Sequence, residues 1–220
     1  MARKAKVAEK VTATEISSEE LMELLGGSDE IDHYETLATI ASMDIDIEAR
    51  RIVYNPIGEH GDNEQISMRN IKELLVKFRY LEKLSNDPIF IEMSTYGGDL
   101  TATMIAHDAI AASKCEVTIL ATGAVMSGGA ILLQAAKHRL IAKHTVFMMH
   151  DLAMGIADSR LNDAVQYLAV TKAQMHMLYE LFAERNTAGK DVKYFKKNFV
   201  TDFWLTAKDA VANGFADKIV

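Results

Sequence analysis

The chain has 220 residues, 49% of them hydrophobic, which suits one domain with a substantial core, or a domain plus an appendage, with no need of a disulfide or metal framework. A formal net charge of −7 lacks the global electrostatic footprint of a nucleic-acid binder. The single cysteine, Cys115, excludes an intrachain disulfide and fits a reducing compartment.

The start, MARKAKVAEKVTATEISSEEL, is basic but lacks the apolar core of a secretory signal, and no run reaches membrane-spanning length. A cytoplasmic protein with neither nucleic-acid nor membrane partners is expected. Residues 1–35 read as a flexible extension in which Ser17 caps a brief amphipathic helix ending at Gly26-Gly27, and the organised domain is expected over 36–220. DIDI and RRIVY then read as strands, and NPIGEHGDN is dense in turn residues. QISMRNIKELLVKFRYLEKL carries Ile66, Ile71, Leu74, Leu75, Phe78, Leu81 and Leu84 at largely helical spacing, ended by Asn86-Asp87-Pro88.

IFIEMS is a short apolar strand, TYGGDLTATMIAHDAIAAS a glycine pair opening a small-residue helix, and EVTILATG the next strand. Strand, helix, strand, helix, strand in succession argues for an α/β fold of parallel βαβ units, whose sites lie at the carboxyl ends of strands. Both glycine-rich turns, STYGGDL and TGAVMSGGA, occur at such ends. After a helix beginning near Ser127, RLIA and TVFMMH read as strands around Lys143-His144. A helical pattern from about Ser159 to Arg185 would be roughly 40 Å long, enough to project or pack against a partner. A short helix around VKYFKKNF, the segment VTDFWLT, a helix capped by Thr206, and GFADKIV with Gly214 at the helix stop complete the chain.

Ser127, flanked by Gly123, Gly128 and Gly129, lies where a strand gives way to a helix whose free amides and positive dipole end suit a developing oxyanion. Taken alone, a serine capping a glycine-rich helix start is the commoner explanation. A nucleophilic serine needs a base and a group that orients it. Of the seven histidines, His33 and His60 fall in the extension and a polar turn, His107 and His176 in helices, and His138 and His144 around RLIA. His150 differs in ending an apolar strand. For the carboxylate, Asp202 stands among large apolar residues, where burial would demand a specific partner. Asp151 and Asp108 compete with it, and spacing does not decide among the three. The STYGGDL turn would add a backbone amide at Gly98 if it lies beside Ser127. Neither turn ends in the lysine-serine of a phosphate-binding P-loop.

These segments resemble ClpP, the family of proteolytic subunits of ATP-dependent Clp proteases, from about Ile52 to the C-terminus. IFIEMSTYGGDLTATMIAHDAI is similar to that family's strand, SPGG turn and helix, GAVMSGGAILL to its nucleophile segment, VFMMHDL to the segment ending in its catalytic histidine, and TDFWLTAKDAVANGFADKIV to the end of its fold. The resemblance implies the ClpP/crotonase-like spiral of βαβ units and a Ser127–His150–Asp202 triad, with the amides of Gly98 and Gly128 as oxyanion hole. It further implies that the long helix is a projecting handle interlocking two rings, expected as heptamers stacked into a tetradecamer, with LAMGIADS as the handle strand bearing on substrate. The implied activity is a serine endopeptidase acting on unfolded polypeptides inside the chamber. An AAA+ Clp ATPase would feed it and consume the ATP, the subunit itself needing no cofactor or metal. Three departures stand out: Tyr96 replaces the proline of SPGG, Asp151-Leu152 replaces Gln-Pro after the histidine, and the handle segment has fewer glycines. The alternatives are a non-catalytic assembly subunit, an acyl-CoA enzyme of the crotonase class, and a Ser–Lys peptidase using Lys137 or Lys143.

Overall fold

The computed structural model describes residues 44–56, 65–153, 155 and 160–220. The expected extension over 1–35, the start of the 36–220 domain, most of the NPIGEHGDN turn and most of LAMGIADS lie outside the described residues.

The first strands, β1 (Ile45–Asp46) and β2 (Arg51–Tyr54), pair antiparallel through a tight reversal in which Arg50 has a φ of 51°. α1 (Met68–Leu84) opens with a reciprocal capping box between Ser67 and Asn70 and buries Ile71, Leu74, Phe78 and Leu81, the face marked by the helical spacing. Its last turn is closed by the Arg50 guanidinium, which donates to the carbonyls of Leu81 and Ser85. β3 (Ile89–Thr95) alternates strictly between buried and half-buried positions. It is followed by α2 (Leu100–Ala111), N-capped by Asp99, and β4 (Val117–Met126). β2, β3, β4 and β5 (His138–Ile141) lie parallel in that order, as the alternation of strands and helices requires.

β4 serves two neighbours in turn. Thr118–Ala121 pair with β5, whereas Ala124–Met126 pair with β6 (Val146–Met149), also parallel. Between the two stretches stands Gly123, with φ 57°, and the register against β3 shifts between Met93 and Thr95. A residue without Cβ takes this left-handed conformation freely, so the strand bends there and carries its end, with Ser127, away from β5.

α3 (Gly128–Leu133) leaves β4 directly. α4 (Leu161–Arg185) has 25 residues and spans about 37 Å, close to the length expected. Its buried side chains, Met175, Leu178, Tyr179 and Phe182, all belong to its second half. α5 (Val192–Asn198) is capped by Asp191, and α6 (Ala207–Ala212) by Thr206, with Gly214 at φ 80° just beyond its end. Two strands have no counterpart in the sequence reading. VTDFWLT contains β7 (Phe203–Thr206), antiparallel to β6, and GFADKIV contains β8 (Lys218–Ile219), parallel to β5. At four and two residues they are too short to show a period, and their pairing comes from partners far along the chain. Leu152, Ala153 and Gly155, from the expected handle strand, lie in no strand.

The core below β6 is aromatic. Phe182 packs its ring 5.2 Å from Phe199 and 5.8 Å from both Phe195 and Phe215, and Phe147 lies 4.7 Å from Phe215. Thus α4, α5 and the end of the chain jointly hold the strand that leads to His150.

Candidate active site

Ser127 adopts φ 49° and ψ −116°, a conformation that costs an L-residue about 1–3 kcal/mol and persists only where its surroundings over-determine it. They do so here. The Ser127 N–H donates to the Met148 carbonyl at 2.8 Å, and its carbonyl accepts from the Ile131 N–H at 3.2 Å. Its hydroxyl makes no capping hydrogen bond to α3, so the helix-cap explanation of this serine does not hold. The side chain is half-buried at the carboxyl end of β4.

The second glycine turn abuts the first. A Cβ on Gly97 would lie 2.7 Å from both the Met126 carbonyl and Ser127 Cβ, so the STYGGDL turn presses directly on the serine. Gly97 and Gly98 take φ values of 95° and 150°, which only glycine adopts without strain. Ile66 fixes this turn by a parallel bridge to Gly98: its N–H donates to the Gly97 carbonyl at 2.6 Å and its carbonyl accepts from the Asp99 N–H at 2.8 Å. The Gly98 N–H is left without an acceptor among the described residues. Gly128 is the first residue of α3, where the N–H has no intrahelical partner. A Cβ on Gly128 would lie 3.5 Å from the Gly98 nitrogen. The Gly98 and Gly128 amides therefore belong to two turns that pack against each other beside Ser127.

His150 and Asp202 reach the same end of the sheet through β6 and β7. Met126 pairs with Met148, placing the end of β6 beside Ser127, and the antiparallel ladder pairs Met149 with Phe203. One residue further, His150 and Asp202 oppose each other, positions whose Cβ atoms are about 4.5–5.5 Å apart in such ladders. No hydrogen bond joins the three side chains. The half-buried His150 directs Nδ1 to the carbonyl oxygen of Asp151 at 2.5 Å, and Asp202 bonds to no described residue. The apolar sequence neighbours of Asp202 do not bury it. It is exposed, because β7 is an edge strand whose outward face is uncovered, and the neighbours Phe203 and Leu205 turn to the other side.

The competitors are placed elsewhere or engaged otherwise. Asp151 accepts from the Leu152 N–H at 2.7 Å, and Asp108 sits on exposed α2 surface against His107 Nδ1 at 3.1 Å. Lys137 pairs with Glu116, at the opposite end of β4 from Ser127, and Lys143 lies exposed in the turn between β5 and β6. Glu116 is held below the usual carboxylate range by its hydrogen bond to Lys137 and that ammonium's charge. Two contributors to the site, Ile66 and the Met148 carbonyl, escaped the sequence reading, since each acts through the backbone and carries no chemical signature. Among the described residues no helix is long and apolar enough to cross a membrane, and no group of three or more His, Cys, Asp or Glu is placed to hold a metal ion.

The Clp protease family model matches residues 60–220. Over 185 residues the chain is 26% identical to the ATP-dependent Clp protease proteolytic subunit of Paracoccus denitrificans, covering 83% of this chain and 87% of that one. It is 27% identical over 151 residues to the ATP-dependent Clp protease proteolytic subunit 2 of Pseudomonas aeruginosa, covering 68% and 74%. Its structure superposes on that of a mutant ClpP1 from Listeria monocytogenes with a TM-score of 0.68 and 25% identity, covering 79% of this chain and 92% of that one. Fold and sequence agree, and the chain belongs to the Clp protease family.

Proposed function

We propose that this Clp-type serine peptidase uses Ser127 as nucleophile, His150 as general base and acid, and Asp202 as the group that orients His150. Ser127 Oγ attacks the scissile carbonyl while His150 Nε2 takes its proton, and the amides of Gly98 and Gly128 receive the charge that develops on the carbonyl oxygen. His150 returns the proton to the leaving amine, and water then hydrolyses the acyl-serine by the same route. In the working arrangement His150 Nδ1 exchanges the Asp151 carbonyl for the Asp202 carboxylate.

The observation that carries this reading is the strained Ser127 backbone, wedged against a glycine turn with a free amide. Strain held in place by its surroundings clusters at active sites. Family membership supports the chamber. The subunit assembles into rings that work with Clp ATPases, and we assign the stacked heptamers, the AAA+ partner, its ATP consumption and the unfolded polypeptide substrate on that basis. The subunit's own chemistry then needs no cofactor. Relatives named as Clp proteolytic subunits, those of Pseudomonas aeruginosa and Paracoccus denitrificans among them, do not favour an acyl-CoA reading.

A fluorophosphonate probe should label Ser127 in the assembled protein. Ser127→Ala should lower peptide hydrolysis on the order of 10⁵-fold or more, and Asp202→Asn about 10⁴-fold. An assembled protein that stays unlabelled and cleaves no peptide with its ATPase partner present would reject the triad and favour a non-catalytic subunit.

A further inference from the structure

Gly128 opens α3 with a φ outside the left-handed region, so the backbone asks for no glycine there. What it lacks is room. A Cβ on Gly128 would lie 2.6 Å from Thr103 Oγ1, 3.2 Å from Ile66 Cδ1 and 3.5 Å from the Gly98 nitrogen. The tightest of these contacts belongs to a polar side chain at the start of α2 that is wholly buried, at 0% exposure. Thr103 is fixed in its turn: its hydroxyl donates to the Asp99 carbonyl at 2.8 Å, and its N–H donates to the same carbonyl at 3.0 Å. Asp99 caps α2 and directly follows Gly98, and its own N–H donates to the Ile66 carbonyl at 2.8 Å. One side chain therefore spans both glycine turns, bonded to the residue beside Gly98 and pressed against Gly128.

We propose that Thr103 is a positioning residue that sets the Gly128 amide relative to the Gly98 amide. The proposal rests on the peptidase reading of Ser127 and its two amides. An oxyanion donor must stand about 2.7–3.1 Å from the place the charged oxygen takes, so a few tenths of an ångström decide its worth. Nothing within α3 fixes the Gly128 N–H, because the first amides of a helix have no partner in it. Its direction is set on one side by the Ser127 ψ of −116°, and on the other by what the Gly128 backbone rests on. It rests on Thr103. In a helix a threonine χ1 divides between two rotamers, and the bond to Asp99 selects one, so the oxygen that meets Gly128 is held in place. A threonine hydroxyl bonded to the carbonyl four residues back is ordinary in helices. This one is also buried against the residue that follows the nucleophile. The neighbouring Gly97 N–H is already engaged, donating to Thr95 Oγ1 at 3.1 Å, which leaves Gly98 as the amide whose spacing from Gly128 the Thr103 contact sets.

The test uses assembled proteins carrying Thr103→Ala, Thr103→Ser, Gly128→Ala, or Gly128→Ala together with Thr103→Ala. Thr103→Ala should lower kcat for peptide hydrolysis about tenfold with KM changed less than about twofold, and should slow fluorophosphonate labelling of Ser127 by a similar factor. Thr103→Ser keeps the hydroxyl and should stay within about threefold of the parent. Gly128→Ala should lower kcat about 100-fold, since its Cβ meets Thr103 Oγ1. In that background the same Thr103→Ala change should raise kcat about tenfold, because it removes the atom in the way, and the sign of its effect reverses. A role confined to stability lowers the urea midpoint and leaves kcat of the assembled protein alone; that result overturns the proposal, as does a Thr103→Ala loss of equal size in both backgrounds. Where Thr103→Ala does not assemble, Thr103→Val carries the test, keeping the shape without the bond to Asp99. It should lower kcat about threefold with KM unchanged, and a kcat equal to the parent's overturns the proposal. A parent that cleaves no peptide and takes no fluorophosphonate rejects the peptidase reading itself, whereas a labelled parent matched by Thr103→Ala rejects only the positioning role.

Discussion

At φ 49° and ψ −116°, Ser127 holds a conformation in which glycine is free and any other residue is strained, and the enzyme keeps a hydroxyl there at that cost. The cost is measurable by comparing two variants that both lack the hydroxyl. Ser127→Gly should be more stable than Ser127→Ala by about 1 kcal/mol in urea denaturation, because only the glycine removes Cβ from the strained position, and neither should be labelled or active. Equal stabilities would mean that the strain is relieved elsewhere. Gly97 sits on the other side of the same contact. Gly97→Ala would set a Cβ 2.7 Å from Ser127 Cβ at a φ of 95°, and it should lower kcat by at least about tenfold in a protein that still assembles. At this scale the sequence marked the serine and its glycines but could not tell a cap from a nucleophile, since the missing capping bond is a matter of torsion angles. It also left open whether Asp202 is buried: apolar neighbours in sequence alternate to the opposite face of a strand, so they do not bury the residue between them.

Among the elements, the parallel order of β2 to β5 was legible because strands and helices alternate in the chain, each with its own period. The bend at Gly123, the short β7 and the short β8 were not, because they exist only through partners recruited from a distance. What holds those late elements is partly ionic. Arg139 of β5, 1% exposed, pairs with Asp217 just before β8 and donates to Gln134 Oε1 at 2.6 Å and to the Gly214 carbonyl at 3.3 Å. Arg185, at the end of α4, joins them by donating to the Gln134 carbonyl at 3.0 Å. Burial alone would raise the Asp217 carboxyl, but hydrogen bonds from Arg139 and the charges of Arg139 and Arg185 outweigh it, and the group is held below its usual range. A depressed folded-state value means stability that is fully present above the unfolded value, near pH 4, and is lost as pH falls through the folded one. The parent should therefore lose urea resistance as pH falls below about 4 more steeply than Asp217→Asn. At pH 7 that variant should be less stable by roughly 3 kcal/mol, the low end for breaking such a pair because Asp217 is 31% exposed. A variant as stable as the parent at pH 7 would show that Arg139 finds full compensation in Gln134 and the carbonyls.

On the scale of the whole molecule, α4 is the element that the single subunit does not account for. Its second half buries Met175, Leu178, Tyr179 and Phe182, while its first half leaves Leu161, Val165 and Leu168 at 80%, 59% and 39% exposure. Those three residues stand at i, i+4 and i+7, one stripe of a helix, and an apolar stripe of that kind is stable when something covers it. The helical pattern from Ser159 to Arg185 anticipated the projection from length alone. It could not divide the helix into an anchored and a free half, because both halves carry apolar residues and only the fold decides which ones meet a core. In the two-ring assembly proposed above, the free half would be the ring-to-ring contact, and closed symmetry repeats any change in it at every subunit. Val165→Asp combined with Leu168→Asp would desolvate two unpaired carboxylates in each copy, at a cost of several kcal/mol per subunit. The expected result is a particle of half the parent's mass in analytical ultracentrifugation, with unchanged far-UV circular dichroism because neither side chain contributes to the subunit core. Peptide hydrolysis should fall with the mass if the chamber is closed by the two proposed rings, because it opens when they part. A double variant that keeps both the full particle and its activity would show that α4 projects for another purpose, and that the rings are joined through a different face.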